Sequence, residues 1–124
     1  MIELQSHTAL LRAPRQLDIV VRPKPKAELN EILVQIAATA VCHTDLDIYT
    51  GNHPGVNYPV VMGHESTGVV ESVGDNVSAL EPGQHIIINP IIACGKCDSC
   101  ARGDEHLCRN AGLFGREVEG SLSE

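Results

Sequence analysis

Large aromatic side chains are nearly absent from this sequence, which has one Phe, two Tyr and no Trp among its 124 residues. The core must therefore be built from Val, Ile, Leu and Ala, which suits a sheet or barrel packed with branched side chains. A stacking platform for single-stranded nucleic acid needs several aromatic rings and is not expected.

Positive charge is also scarce, since nine Lys and Arg oppose sixteen Asp and Glu for a net charge of -7. This balance opposes binding to phosphate backbones and anionic membranes, so we expect neither nucleic acid nor membrane as a partner. No apolar run approaches the roughly 20 residues of a membrane span. Residues 1–5 lack the basic and apolar regions of a secretory signal, and we expect a cytoplasmic protein.

The sequence also lacks the glycine fingerprint of dinucleotide-binding domains. No two glycines stand two positions apart, so Gly-x-Gly-x-x-Gly does not occur. A chain of 124 residues is long enough for one domain with a real core and short for a two-domain enzyme. We therefore expect one domain over residues 1–124, without a nucleotide site.

Cysteine, by contrast, is concentrated: four of the five cysteines lie between positions 94 and 108, a segment that we call the cysteine lobe. An odd number, crowded in this way, favours metal thiolates in a reducing compartment over a disulfide framework. Glycines and polar residues dominate from Gly95 onward, which leaves too little apolar material for the lobe to fold by itself.

The lobe cysteines have the spacing Cys-x2-Cys-x2-Cys-x7-Cys. Four thiolates can close a tetrahedral shell around zinc, and a closed shell indicates a structural site that contributes folding energy. The alternative is an iron-sulfur cluster, because the first three cysteines match a bacterial cluster run. That run requires a fourth cysteine about three residues later, followed by proline. Here the gap is seven residues and Arg109 follows, so zinc is favoured over iron-sulfur and both over free thiols.

A second metal site is suggested by Gly63-His64-Glu65, which follows an apolar run and leads into a predicted strand over residues 68–73. Cys42 ends another apolar segment, so its thiol and the His64 ring could meet. Asp45 could accept a hydrogen bond from the free ring nitrogen of His64 and fix its tautomer, or cap a helix, or both. Taken alone, Cys42 could equally be a small buried hydrophobe and His64 a hydrogen-bonded core residue.

Hydrophobic alternation and turn residues predict the elements around these positions. Two short strands should flank a turn at residues 13–15, and a long, mostly buried strand should end at Cys42. A short helix should follow, since Thr44 and Asp45 suit its first turn and Gly51 its end. The predicted strands span residues 7–11, 17–21, 31–41 and 85–88, and the helix spans residues 43–49.

Four motifs occur in a fixed order along the chain: Cys42-His43-Thr44-Asp45, Gly63-His64-Glu65-x-x-Gly68-x5-Gly74-x-x-Val77, Glu81-Pro82-Gly83-Gln84-His85-Ile86, and the cysteine lobe. Together they resemble the GroES-like catalytic domain of zinc-dependent medium-chain alcohol dehydrogenases. The resemblance implies a mainly β fold, a partly open GroES-like β-barrel with short helices and a zinc-stapled loop.

The resemblance also implies the site residues. Cys42 and His64 would bind a catalytic zinc ion, with Glu65 as a neighbouring or exchanging ligand and a third ligand beyond residue 124. The structural zinc would be held by the four cysteines of the lobe, Cys94, Cys97, Cys100 and Cys108.

The implied reaction is hydride transfer between an alcohol and NAD or NADP, helped by a zinc ion that lowers the pKa of the alcohol. Thr44 would receive the alcohol proton, Asp45 would tune the site and His43 would face the cofactor phosphates. Asp47 occupies the position at which many relatives have a histidine that passes the proton outward, so this outer relay differs here.

The resemblance further implies a longer enzyme. Residues 120–124 resemble the start of another strand of the family, which a Rossmann cofactor domain should follow. We therefore expect the N-terminal part of a dehydrogenase subunit that is inactive alone. When full length, it would be homo-oligomeric and act on a small alcohol, aldehyde or ketone. The alternative is a stand-alone zinc-binding module or pseudoenzyme without turnover.

Overall fold

Two three-stranded antiparallel sheets and a two-stranded ribbon carry the strands of residues 4–124, the part of the chain that this computed structural model describes. The first sheet has the order β2-β1-β4, the second β3-β5-β6, and the ribbon pairs β7 with β8. The strands are β1 (Gln5–Ala13), β2 (Gln16–Pro23), β3 (Ile32–Ala40), β4 (Val60–Val61), β5 (Glu65–Val73), β6 (His85–Ile87), β7 (Ile91–Ile92) and β8 (Gly112–Leu113). The helices are α1 (His43–Thr50), α2 (Asp98–Ala101) and a 3-10 helix at Glu105–Leu107.

The hairpin of β1 and β2 confirms the first two predicted strands and their turn. Ala13 pairs with Gln16, so Pro14 and Arg15 form the connection, and Arg15 has a left-handed φ of 64°. The Arg15 N–H donates to the Tyr49 carbonyl at 2.7 Å, which fastens the turn to the end of α1. The hairpin is thus attached to the helix that follows Cys42.

The second sheet contains the predicted long strand, β3, but the prediction that this strand is mostly buried is wrong. None of its residues is fully buried, and Gln35, Ala37, Ala38 and Ala40 are exposed. Within the described residues β3 pairs only with β5 and is therefore an edge strand. Over residues 4–124 its other edge has no neighbouring strand to bury the residues along it.

Helix α1 is capped at both ends, by the predicted residues Asp45 and Gly51 together with Cys42, whose capping role was not predicted. The Cys42 Sγ accepts a hydrogen bond from the Thr44 N–H, and the Asp45 carboxylate accepts one from the Cys42 N–H, which completes a capping box. Gly51 ends the helix with a left-handed φ of 84° and donates to the carbonyls of Asp47 and Ile48. The cap places Cys42 at the junction of β3 and α1.

The core lies between β1, α1 and β4. Leu11 and Ile48 are completely buried, Val60 and Met62 nearly so, and they form one apolar cluster. The Tyr58 hydroxyl donates to the Ile48 carbonyl at 2.7 Å and closes one side of the cluster. Because β4 leads directly to Gly63, this core supports the segment that carries His64.

The two sheets do not close into a barrel within residues 4–124, and strands outweigh helices, so the predicted mainly β, partly open fold is confirmed. No helix in the described part of the chain combines the length and the apolar character needed to cross a membrane. Of the N-terminal stretch considered above, residues 1–3 lie outside the described residues.

Replacing Leu11 by Ala should lower the free energy of unfolding by about 2–5 kcal/mol, because it leaves a cavity in the centre of the core. Leu17→Ala is the matched control, since Leu17 faces Leu11 across the hairpin but its residue is 44% exposed and should cost less than about 1 kcal/mol. Urea unfolding followed by circular dichroism measures both. Equal losses would contradict this location of the core.

Candidate metal centres

Cys42, His64 and Glu65 meet where the end of β3 approaches the start of β5. One ligand atom from each residue lies within 4.8 Å of the other two, and Cys42 Sγ is 3.0 Å from His64 Nε2. His64 is buried, Cys42 is half-buried and Glu65 is exposed. The fold thus brings together a thiol and a ring that are 22 positions apart in sequence, with a carboxylate on the solvent side.

Asp45 connects the two backbone segments that carry these donors. Its Oδ2 accepts a hydrogen bond from the Cys42 N–H at 3.0 Å, and its Oδ1 accepts one from the Gly63 N–H at 3.1 Å. The residue is only 2% exposed, so both bonds are shielded from water. The carboxylate therefore fixes the position of the backbone next to Cys42 relative to the backbone next to His64.

The predicted hydrogen bond between Asp45 and the His64 ring is not formed. His64 Nδ1 lies 3.5 Å from Asp45 Oδ1 and is left without a hydrogen-bond partner. Two backbone N–H groups hold the carboxylate in place, and its Oδ1 stays beyond good hydrogen-bonding distance of the ring nitrogen. The other ring nitrogen, Nε2, faces the Cys42 thiol.

The three donors fit a zinc ion chemically. Sulfur, imidazole nitrogen and carboxylate oxygen are the ligands that zinc uses, and a set of three leaves a fourth position open. A tetrahedral ion would hold sulfur and nitrogen about 3.6 Å apart, so binding requires the 3.0 Å contact to widen slightly. Glu65, expected from the sequence as a neighbouring or exchanging ligand, lies within reach of the other two donors, and the ligand expected beyond residue 124 stays a prediction.

A mostly apolar cleft of about 480 Å³ opens beside His64 and Glu65. Ala40, Ile87 and Pro90 contribute to its wall. Ser66 also lines it and is 94% buried, yet its hydroxyl has no hydrogen-bond partner. The sequence did not single out these residues. Only the strand alternation, which puts His64 and Ser66 on one face, could have indicated Ser66.

The other predicted site residues lie on the first turn of α1. The Thr44 N–H donates to Cys42 Sγ at 3.3 Å, so Thr44 directly adjoins the candidate centre. His43 faces solvent, with 83% of its side chain exposed, and its Nε2 lies 3.8 Å from Asp47 Oδ1. His43 and Asp47 are therefore near each other on the outer side of the helix.

The cysteine lobe gathers its four sulfurs within 4.8 Å of one another. Cys97 Sγ lies 3.5 Å from Cys100 Sγ and 3.9 Å from Cys108 Sγ. Thiolates around one tetrahedral zinc ion are about 3.8 Å apart, so the spacing fits a closed four-sulfur shell. The lobe leaves the sheet region through β7 and returns through β8.

The electrostatics of the lobe also fit a cation. Backbone N–H groups of Cys100 and Arg109 lower the pKa of Cys97 to about 6, and the Lys96 N–H lowers the pKa of Cys94. Burial, and then the neighbouring Cys97, raise the pKa of Cys100 to about 12. Cys97 therefore ionises readily near neutral pH, whereas ionisation of the whole set requires a positive ion among the thiols.

Asp45→Asn should weaken zinc binding at Cys42, His64 and Glu65 by about 10- to 100-fold, because the amide group cannot accept both backbone hydrogen bonds. Competition with a chromophoric chelator measures the affinity. Asp47→Asn, on the same helix but partly exposed, is the matched control and should bind zinc normally. Equal affinity of both variants would contradict the role given to Asp45.

Cys97→Ser should remove one zinc ion per chain and make residues 94–108 sensitive to protease, because the lobe has no apolar core of its own. Metal analysis and limited proteolysis test this. Cys42→Ser is the matched control, since it removes a thiol elsewhere and should leave the lobe protected. A lobe that stays protected without its zinc would contradict the assignment.

Comparison with known proteins places these two centres in context. The alcohol dehydrogenase GroES-like domain matches residues 28–124. L-threonine 3-dehydrogenase of Pyrococcus furiosus is 40% identical over 103 residues, covering 81% of this chain and 30% of that protein. S-(hydroxymethyl)glutathione dehydrogenase of Saccharomyces cerevisiae is 41% identical over 97 residues, covering 78% of this chain and 25% of that protein.

Among solved structures, the short chain alcohol dehydrogenase RspB of Escherichia coli CFT073, complexed with NADH, superimposes with a TM-score of 0.88. It is 30% identical, and the match covers 96% of this chain and 34% of that one. The chain thus spans about a third of the length of the relatives that it matches. Since the domain match covers most of its residues, this chain belongs to the alcohol dehydrogenase GroES-like domain family.

Proposed function

We propose that this chain is the zinc-binding part of a medium-chain alcohol dehydrogenase, which transfers a hydride between an alcohol and NAD or NADP. The observation that carries the proposal is the incomplete donor set of Cys42, His64 and Glu65 beside an apolar cleft. An open metal position next to a substrate-sized space is the arrangement of a catalytic zinc site. Relatives that bear dehydrogenase names, and one solved with NADH, support it.

The donors balance the charge of the ion. A Cys42 thiolate and the Glu65 carboxylate together offset the two positive charges of zinc, while His64 binds as a neutral ring. A zinc ion bound there supplies Lewis-acid chemistry, lowering the pKa of an alcohol hydroxyl so that hydride leaves the adjacent carbon more readily. The buried Asp45 keeps Cys42 and His64 fixed during this charge change, because its two acceptors hold their backbones.

Thr44 and His43 have separate tasks in this proposal. The Thr44 backbone adjoins the Cys42 thiol, and its hydroxyl would accept the proton of the alcohol hydroxyl while releasing its own, so that it relays the proton. His43 lies at the exposed N-terminal end of α1, where a ring N–H donor and the helix dipole both favour the phosphates of a nicotinamide cofactor. Asp47, close to His43, occupies the position of the relay histidine of many relatives, so an outward path for the proton through that position would differ in this chain.

The cleft suggests the substrate class. Its walls of alanine, isoleucine and proline favour a small, mainly apolar alcohol or the corresponding aldehyde or ketone. We further propose a reducing, cytoplasmic location, because the closely spaced thiols of the lobe stay reduced only there. Formation of a homo-oligomer belongs to the same proposal, and the exposed apolar residues Leu17, Ile19 and Val21 of β2 offer a surface for it.

The domain boundaries are part of the proposal as well. Residues 1–124 would form the GroES-like domain, with the cysteine lobe at residues 94–108 as its structural zinc site. A second candidate is a zinc module without turnover, which is favoured by one observation: the lobe holds a complete four-sulfur shell within this chain.

A chimeric enzyme distinguishes the two candidate functions, the dehydrogenase part and the zinc module without turnover. We expect residues 1–124 alone to oxidise no alcohol with either nicotinamide cofactor, since they contain no cofactor fingerprint. Substituted for the matching residues of the Pyrococcus furiosus L-threonine dehydrogenase, they should support NADH formation with a panel of small alcohols. Cys42→Ser in the chimera should lower this rate more than about 100-fold.

The control is Cys42→Ser in the 124-residue chain, which should retain the zinc of the lobe. A chimera that folds and binds two zinc ions per chain without oxidising any alcohol would favour the zinc module. Alcohol oxidation by residues 1–124 alone would contradict the proposal that these residues supply only the zinc-binding part of the enzyme.

A further inference from the structure

The C-terminal residues 120–124, which we call the strap, run between the first sheet and the segment that carries His64. The N–H groups of Gly120, Ser121 and Leu122 donate to the carbonyls of Val61, Gly63 and Met62 at 2.8, 3.0 and 3.0 Å. On its other side the strap accepts from the Ala9 N–H and donates to the His7 carbonyl. It therefore fastens the approach to His64 to strand β1.

Gly63, the residue before His64, is held from two sides. Its N–H donates to Asp45 Oδ1 at 3.1 Å, and its carbonyl accepts from the Ser121 N–H at 3.0 Å. Gly63 has a φ of +96°, and a Cβ there would lie 2.8 Å from Ser121 Oγ. A Cβ on Gly120 would lie 2.3 Å from the Gly63 carbonyl oxygen. The strap is thus in direct contact with the peptide that orients His64.

Thr39 connects this strap to the other metal donor. Its Oγ1 lies 3.1 Å from the Ser121 carbonyl oxygen, to which it donates, and 3.2 Å from Ser121 Oγ. Thr39 is on β3, three residues before Cys42, and pairs with Ser66 of β5. One hydroxyl group therefore links the strand that ends at Cys42 with the strap that holds Gly63.

From these contacts we propose that Thr39, acting through Ser121, is a positioning residue that sets the distance between the Cys42 thiol and the His64 ring. The inference rests on the proposed function only in that it requires a metal ion at this centre. Thr39 touches neither donor, so its effect reaches them through β3 and the strap.

The energetics favour a displacement of the strap when the hydroxyl is lost. Ser121 is only 3% exposed, so its polar groups cannot simply turn to water. A buried polar group without its partner is costly, and a small shift of the strap would reduce that cost. Because Ser121 also donates to Gly63, the shift would be transmitted to His64. The lobe cysteines make none of these hydrogen bonds and should not respond.

Thr39→Val tests the proposal, because it removes the hydroxyl and keeps the shape. The probe is Co²⁺ bound to the complete 124-residue chain, since a four-thiolate site and a site with one thiolate give different absorption bands. We expect Thr39→Val to weaken Co²⁺ binding at Cys42 and His64 by about tenfold or more and to shift the bands of that site. The bands of the lobe should stay unchanged, and Thr39→Ser should restore both affinity and spectrum.

Thr67→Val is the matched control. Its hydroxyl likewise donates to a carbonyl, that of Ile86 at 2.7 Å, and is half-buried on β5, but it makes no hydrogen bond to the strap. This variant should bind Co²⁺ as the unaltered chain does. Equal weakening by Thr39→Val and Thr67→Val, or an equal loss at the lobe, would show a general folding effect and overturn the proposal.

A steric pair gives an independent test should Thr39→Val fail to fold. Gly120→Ala places a methyl group against the Gly63 carbonyl and should weaken the Cys42 and His64 site selectively. Gly112→Ala is its control, because the nearest atoms to that Cβ lie at ordinary contact distances of 3.5 Å or more. Similar affinities in these two variants would overturn the proposal.

The outcomes also separate the two levels of inference. If the unaltered chain binds two Co²⁺ ions and Thr39→Val leaves the Cys42 and His64 site unchanged, only the positioning role fails. If the unaltered chain binds Co²⁺ at the lobe alone, the proposed function fails and the positioning role fails with it.

Discussion

The pair of hydrogen bonds accepted by the buried Asp45 carboxylate is the constraint on which the candidate catalytic centre depends. One bond caps α1 at Cys42 and the other holds Gly63, so a single side chain fixes both donor segments. A buried carboxylate is costly unless its oxygens are satisfied, and here the backbone satisfies them. The cost is thus offset by N–H groups that would otherwise lack partners at a helix start and a strand start.

The two metal centres are organised in different ways. Around Cys42 and His64, contacts of the polypeptide itself bring the donors together: the apolar core, the hydrogen bonds of Asp45 and those of the strap. In the cysteine lobe the sulfurs themselves are the centre of the structure, because two short helical turns surround them and little apolar surface does. A prearranged site with an open position suits chemistry, whereas a closed site that orders its own surroundings suits stability.

Much of this arrangement could be predicted from the sequence, because the relevant features were local. The hairpin around Pro14 and Arg15, the helix that ends at Gly51 and the spacing of the lobe cysteines all depend on neighbouring residues. The burial of β3 was predicted wrongly, since alternation of apolar residues cannot tell whether a face is covered. The predicted hydrogen bond from Asp45 to the His64 ring was also wrong, because the carboxylate is held by the N–H group of Gly63, which comes from 18 positions away.

The contacts of individual hydroxyl groups, such as those of Thr39 and Ser66, could not be predicted from the sequence either, because they also depend on residues far away along the chain. Thr39 and Ser66 stand on neighbouring strands and directly oppose each other, yet one is bonded to the strap and the other has no partner. An isolated serine or threonine has no characteristic spacing, so its role depends wholly on what the fold places beside it. Their positions could be recognised only after β3, β5 and residues 120–124 had been brought together.

The three donors of the candidate centre differ in solvent exposure, and this difference indicates the side from which a substrate can reach it. His64 is buried and Cys42 half-buried, while Glu65 faces solvent and lines the apolar cleft together with His64. Under the proposed function, a substrate therefore approaches from the Glu65 side, where a carboxylate can move without disturbing the core. His64 and the half-buried Cys42 would then hold a metal ion from the protein side, and Glu65 would be the donor that a substrate reaches first.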